Sequence, residues 1–137
     1  SDAPQTLEAL DRIGIEMGFI ANQSEDIVDI MEKSGLMQFF KVRIISDSVK
    51  FSKPDPRIFQ LALEGAARPA GECIMVGDRL DTDICPAKSL GMKTVRYTNS
   101  LFSLQAPLQE CEQADYSAAR LTEIPGIVER VISSWRK

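Results

Sequence analysis

The sequence contains no histidine. Ser-His and Cys-His nucleophilic pairs are thereby excluded, as are most zinc sites, so any chemistry has to run on carboxylates, lysine, backbone N–H groups and a hard cation. Cysteine is scarce as well. Cys73, Cys85 and Cys111 are odd in number and lack the spacing of a metal-binding set, which fits a reducing, cytoplasmic setting better than a secreted disulfide scaffold. No apolar run approaches the ~20 residues needed to cross a bilayer, and no basic segment precedes an apolar one near Ser1, so neither a membrane span nor a leader is expected. Positive charge is not in surplus either: 16 basic residues against 20 acidic ones leave a net charge of −4. That balance offers no broad footprint for nucleic-acid backbones or anionic lipid, and neither is expected as a partner.

What is present is enough for one packed core. A chain of 137 residues with 44% hydrophobic and 26% charged side chains reads as a single folded domain spanning residues 1–137, and no repeat, low-complexity stretch or linker divides it. Short β-rich runs alternate with helical patterns, which predicts a parallel sheet covered by helices. Leu7, Leu10 and Ile13 predict a first helix ended by Gly14, and residues 17–21 a buried strand. A second helix is expected from about Ser24, with Glu25 and Asp26 at its positive end and Gly35 as its stop. Residues 42–45, 73–76 and 94–97 read as further strands, with Tyr116 in a short edge strand. Pro56 opens a helix carrying Ile58 and Phe59, Pro86 restricts another helix to a start near Asp83, and Pro125 opens the last. Residues 99–111 read as loop.

Three strand-to-helix turns bear residues suited to chemistry, and such turns at the carboxyl ends of parallel strands are where open α/β sheets place ligands. In the first, Asn22, Gln23 and the N–H groups of the next helix either hold an anionic oxygen or merely cap that helix. In the second, Pro54 keeps Lys53 extended just before a helix; the lysine either neutralises a phosphate or is an exposed side chain in a proline turn. The third is Gly77-Asp78-Arg79-Leu80-Asp81-Thr82-Asp83. Three carboxylates at a strand end repel one another unless a cation or lysine neutralises them, and hard oxygen ligands of this kind suit Mg²⁺. Arg79 and Asp81 are expected to be solvated or paired at the surface. For Asp83, capping of the next helix and support of a metal are both open.

Together the stretches GFIANQ, SKPDPRIF and IMVGDRLDTDICPAKSLGMKTV resemble the second, third and fourth motifs of the haloacid dehalogenase superfamily, in the family's order and with similar separations. The tail ADYSAARLTEIPGIVERV is similar to the family's final strand and helix. The resemblance implies a three-layer Rossmann-like α/β fold with helices on both faces of the sheet. It further implies Asp78 as a Mg²⁺ ligand, Asp83 as a ligand or its support, Lys53 as the group that binds both the transferring phosphoryl group and the nucleophile, and Asn22 in the phosphate loop. The implied activity is hydrolysis of a small phosphorylated metabolite through an aspartyl-phosphate.

Two departures stand out. The family's first motif, an Asp-x-Asp on the first strand, has no counterpart here, so that strand is expected to be missing and the chain inactive by itself. Ala21 also stands where the family usually has a hydroxyl. In the family the first strand lies between those corresponding to residues 17–21 and 73–76, so two edges should be left unpaired and open to association. Three arrangements are then open: a piece of a longer enzyme, a strand supplied by another chain, or edges that close on each other. A catalytically dead binding module is the competing reading. The single helix-strand unit between Asn22 and Lys53 leaves no room there for a cap domain, and the substrate is not readable.

Overall fold

A computed structural model describes residues 2–24 and 26–136. The elements follow in the order α1 (Ala3–Arg12), β1 (Met17–Ala21), α2 (Asp26–Lys33), β2 (Phe40–Ile45), α3 (Ser46–Val49), α4 (Pro56–Ala66), β3 (Ile74–Gly77), α5 (Cys85–Ser89), β4 (Lys93–Tyr97), β5 (Tyr116–Ala118) and α6 (Ile124–Trp135). The alternation expected from the sequence is therefore present. Glu25, expected beside Asp26 at the start of α2, lies outside the described residues. Among the described residues no helix is long and apolar enough to cross a membrane.

All strand pairs are parallel, and they form two sheets: β1 pairs with β2, while β3, β4 and β5 pair in that order. The facing edges of β1 and β3 are not hydrogen-bonded to each other, so they do not close directly on each other. Between them lies a cavity of about 900 Å³, bordered by Phe19 and Ile20 of β1 and by Met75 and Val76 of β3. Among the described residues, no strand pairs with these two edges, which present their backbone groups to that space.

Helices cover both faces because successive strand residues point to opposite sides. Met17 and Ile74 pack with Leu10 of α1, Val95 of β4, and Ile127 and Val131 of α6. Their neighbours Ile20 and Met75 instead join Ile58 and Phe59 of α4 and Ala87 of α5 on the opposite side. Ile58, Phe59, Val95 and Val131 have no exposed surface, and each such side chain contributes roughly 1.5–3 kcal/mol of burial.

Local chemistry sets the ends of the helices. Gly14, at φ 81°, supplies the left-handed residue after α1. Asp55 caps α4 by accepting the Arg57 N–H at 2.9 Å, and Pro56 occupies the first turn, where its missing donor costs nothing. A short helix, α3, follows β2 before the Lys53 turn. One expectation needs correcting. The helix expected from Asp83 starts earlier, at Leu80, as a wide turn over Leu80–Ile84 in which the Cys85 N–H reaches back to the Leu80 carbonyl. A wide turn suits the following Pro86, whose ring would crowd a regular helical carbonyl four residues back.

Candidate active site

The site is assembled from the three turns at the carboxyl ends of β1, β2 and β3. Its centre is an ion pair. The Lys53 ammonium lies 2.6 Å from one carboxylate oxygen of Asp83, with the two side chains only 14% and 6% exposed. The other oxygen of Asp83 accepts the N–H groups of Asp78 and Arg79, each at 3.2 Å. A buried charge needs this degree of satisfaction, because desolvation otherwise outweighs the attraction. Asp83 thus fixes the lysine and the backbone of the β3 turn at once.

The lysine is also held from its main chain. Asn22 accepts the Lys53 N–H at 2.8 Å and donates to the Lys53 carbonyl at 3.1 Å, so one amide side chain brackets a residue 31 positions away. The bond from Lys53 to Pro54 is cis. Gln23 is exposed, and its carbonyl accepts the Ser46 hydroxyl at 3.3 Å. Asp55 pairs with Arg57, whose guanidinium holds that carboxyl below the usual carboxylate range.

Asp78 differs from its neighbours. Among the described residues its carboxylate accepts no hydrogen bond and joins no ion pair, and it lines the cavity together with Lys53 and Asp83. Arg79 and Asp81 pair at 2.7 Å, half-exposed as expected, and the Arg79 contact holds the Asp81 carboxyl down to about 2. Gly77 is required by Asp83: a Cβ there would collide with the Asp83 side chain, so only glycine lets the carboxylate fold back over the strand end.

No group of three or more His, Cys, Asp or Glu side chains gathers among the described residues. Asp83 has both oxygens engaged, which leaves Asp78 as the carboxylate that, among the described residues lining the cavity, is in no hydrogen bond or ion pair. Mg²⁺ commonly takes one or two protein carboxylates and completes its shell with water and phosphate oxygens, so Asp78 fits as part of such a site.

A family model described as haloacid dehalogenase-like hydrolase matches residues 1–91. The chain belongs to that family. The glyceraldehyde 3-phosphate phosphatase of Pyrococcus furiosus is 40% identical over 95 residues, covering 69% of this chain and 39% of the relative. That of Methanocaldococcus jannaschii is 32% identical over 132 residues, covering 93% and 55%. Among solved structures, a HAD phosphatase from Thermococcus onnurineus superposes with a TM-score of 0.81 at 31% identity, over 93% of this chain and 56% of that one. The chain thus spans about half the length of the relatives it matches, or less.

Membership in the haloacid dehalogenase-like family accounts for the parallel α/β architecture expected from the motifs. The structure brings together Asn22, Lys53, Asp78 and Asp83, and leaves Gln23 exposed and outside the cavity lining. Sequence reasoning did not anticipate that the Asn22 amide is committed to Lys53. It also missed Gln105, which accepts the Leu80 N–H at 2.8 Å and donates to Asp81 at 3.1 Å. No spacing signal marks Gln105, because it lies in an irregular loop. The cysteines differ from expectation too: Cys85 and Cys111 are disulfide-bonded, and only Cys73 is free. Their 26-residue separation hid the contact, which forms only when the loop after β4 folds back on α5.

Proposed function

We propose that this chain is the lysine- and cation-binding part of a Mg²⁺-dependent phosphohydrolase acting on a small phosphate monoester, a phosphorylated metabolite of the cytoplasm. One observation carries the reading. Lys53 and Asp78 line a single cavity, the first immobilised by Asp83 and Asn22, the carboxylate of the second in no hydrogen bond or ion pair among the described residues. The phosphatase names of the relatives add support from outside the chain.

In this reading Asp78 holds the cation, and Asp83 supports the site by fixing the Asp78 N–H and the lysine. When bound, Mg²⁺ supplies charge neutralisation and alignment at the phosphoryl oxygens. Lys53 offers its ammonium to the same oxygens and to the attacking carboxylate, already desolvated and positioned, so little reorganisation is needed at the moment of transfer. Asn22 keeps the lysine backbone from drifting, and Gln23, exposed beside it, would meet a substrate oxygen only outside the cavity lining.

Residues 1–16 contain no Asp-x-Asp. The attacking aspartate is therefore assigned to a strand seated between β1 and β3, where both edges stand unpaired around the cavity. In-line attack by that carboxylate gives an aspartyl-phosphate, which water then hydrolyses. Residues 1–137 by themselves are expected to turn over no phosphate ester.

The test is hydrolysis of p-nitrophenyl phosphate by the longest natural form of the protein, with Mg²⁺ and with excess chelator. Chelation should abolish turnover, and Lys53→Ala should lower kcat/KM by about 10²- to 10³-fold. Turnover indifferent to both overturns the reading.

Ala21 favours a second reading, a catalytically dead binding module, because no hydroxyl stands beside Asn22 to hold a phosphate oxygen. Calorimetric titration of residues 1–137 with Mg²⁺ and with orthophosphate separates the two. A metal site that survives without the nucleophile supports the enzyme, and silence toward both ligands supports the module.

A further inference from the structure

The loop between β4 and β5 is attached to the body of the protein by few means. Leu101, Leu104 and Leu108 are 97%, 96% and 87% exposed, so burial of their apolar surface does not hold it. Its attachments are polar, aromatic and covalent. The Arg96 guanidinium gathers the carbonyls of Phe102, Ser103 and Gln105 at 3.1, 3.3 and 2.7 Å and gives the loop its shape. Arg79 lies over the Phe102 ring, 4.8 Å from its centre. Gln105 reaches the Leu80 N–H and the Asp81 carboxylate. The Cys85–Cys111 bond then ties the far end of the loop to the first residue of α5.

Apart from the bonds from Arg96 of β4 and the local turns at either end, the contacts that residues 99–111 make outward end, among the described residues, on one segment. Arg79, Leu80, Asp81 and Cys85 belong to the turn and helix that follow β3, and Asp78 and Asp83 belong to the same segment. The Leu80 side chain is wholly buried, and its N–H points to Gln105 and not to a backbone carbonyl. A loop with so little buried surface depends unusually on a covalent tie, because the tie removes much of the entropy the loop would otherwise gain on release.

We propose that the Cys85–Cys111 disulfide is a redox latch that keeps Gln105 on the Asp78–Asp83 turn, with Gln105 as a positioning residue. Reduction by a dithiol breaks the Sγ–Sγ bond. Two electrons and two protons pass to the cysteines, which become thiols, and the donor closes to its own disulfide. Both cysteines are half-buried, so a small dithiol has a route to them. The released segment is bounded. Lys88 of α5 still donates to the Gln113 carbonyl at 2.6 Å and pairs with Asp115 at 3.6 Å, so β5 and α6 stay in place while residues 99–111 move. The turn then loses the acceptor for Leu80 and one partner of Asp81. A looser grip on Asp78 follows, a consequence that rests on the function proposed above.

The experiment is hydrogen-exchange mass spectrometry of the full 137-residue chain, air-oxidised and after dithiothreitol, with a count of free thiols by alkylation. One free thiol is expected before reduction and three after. Exchange at the Leu80 amide and across residues 99–111 should rise about tenfold on reduction, the worth of a net hydrogen bond, while β4 stays unchanged. Cys111→Ser should behave as the reduced form with or without dithiothreitol. Gln105→Ala keeps the disulfide and should show fast Leu80 exchange in both redox states. Three free thiols without reductant, or Leu80 exchange that ignores the redox state, overturns the latch. Redox-dependent Leu80 exchange that persists in Gln105→Ala removes Gln105 from it. Mn²⁺ affinity, read by electron paramagnetic resonance, should weaken on reduction. An exchange response without any Mn²⁺ binding in either form leaves the latch standing and counts against the metal reading alone.

Discussion

Gly77 and Asp83 share one volume: the space a side chain would take at the end of β3 is filled by the folded-back carboxylate six residues later. Gly77→Ala should therefore force Asp83 away from the Asp78 and Arg79 N–H groups and from Lys53. Overpacking of this kind costs about 1–3 kcal/mol. The cost should appear as a lowered urea midpoint with an unchanged slope. An alanine variant of undiminished stability would show that the turn has slack the geometry denies.

Lys53 and Asp83 form the least exposed ion pair among the described residues. Removing one member leaves the other buried without its countercharge, at about 3–5 kcal/mol. Lys53→Met and Asp83→Asn are each expected to destabilise on that scale. The double variant should cost less than the sum, because neither charge is then stranded; a double-mutant cycle reads the difference. Strict additivity would mean that the two groups are independently solvated.

Much of this arrangement was legible beforehand, for reasons that differ by residue. Pro54, Pro56 and Asp55 act within a few residues of themselves, so the turn that presents Lys53 could be read from local conformational preference. The strand at residues 17–21 was equally readable as a short apolar run, and its observed limits, Met17–Ala21, are the same. The wide turn at Leu80–Ile84 was not, because it depends on Asp83 satisfying backbone donors that precede it. Contacts between distant segments were the least accessible. Asn22 with Lys53, Gln105 with Leu80, and Cys85 with Cys111 are separated by 31, 25 and 26 positions, and none follows any helical or strand period.

Asn22 gives a prediction that separates positioning from ligand contact. Asn22→Ala removes both hydrogen bonds to the Lys53 backbone at an exposed site, where the pair contributes about 1–2 kcal/mol. Hydrogen exchange at the Lys53 amide should accelerate. In the longest natural form of the protein kcat should fall with little change in KM, since the lysine is mispositioned and not lost. A rise in KM alone would instead place Asn22 in direct contact with the substrate.

Asp115 should make stability fall in acid. Burial opposes its charge, but the N–H and hydroxyl of Thr94, at 2.9 and 3.0 Å, together with Lys88 and Lys93, outweigh that and hold its carboxyl below the ordinary value. The folded state therefore favours the ionised form more than the unfolded chain does. The stabilisation is fully present above the unfolded value of about 3.9 and is lost as pH falls through the lower folded value. Asp81 titrates in the same direction through Arg79, so wild type alone does not isolate the effect. Asp115→Asn keeps an acceptor for Thr94 but no titration. The urea midpoint of wild type should therefore drop more steeply between pH 5 and pH 3 than that of the variant. Parallel slopes would mean that the Thr94 hydrogen bonds do not discriminate between the two protonation states.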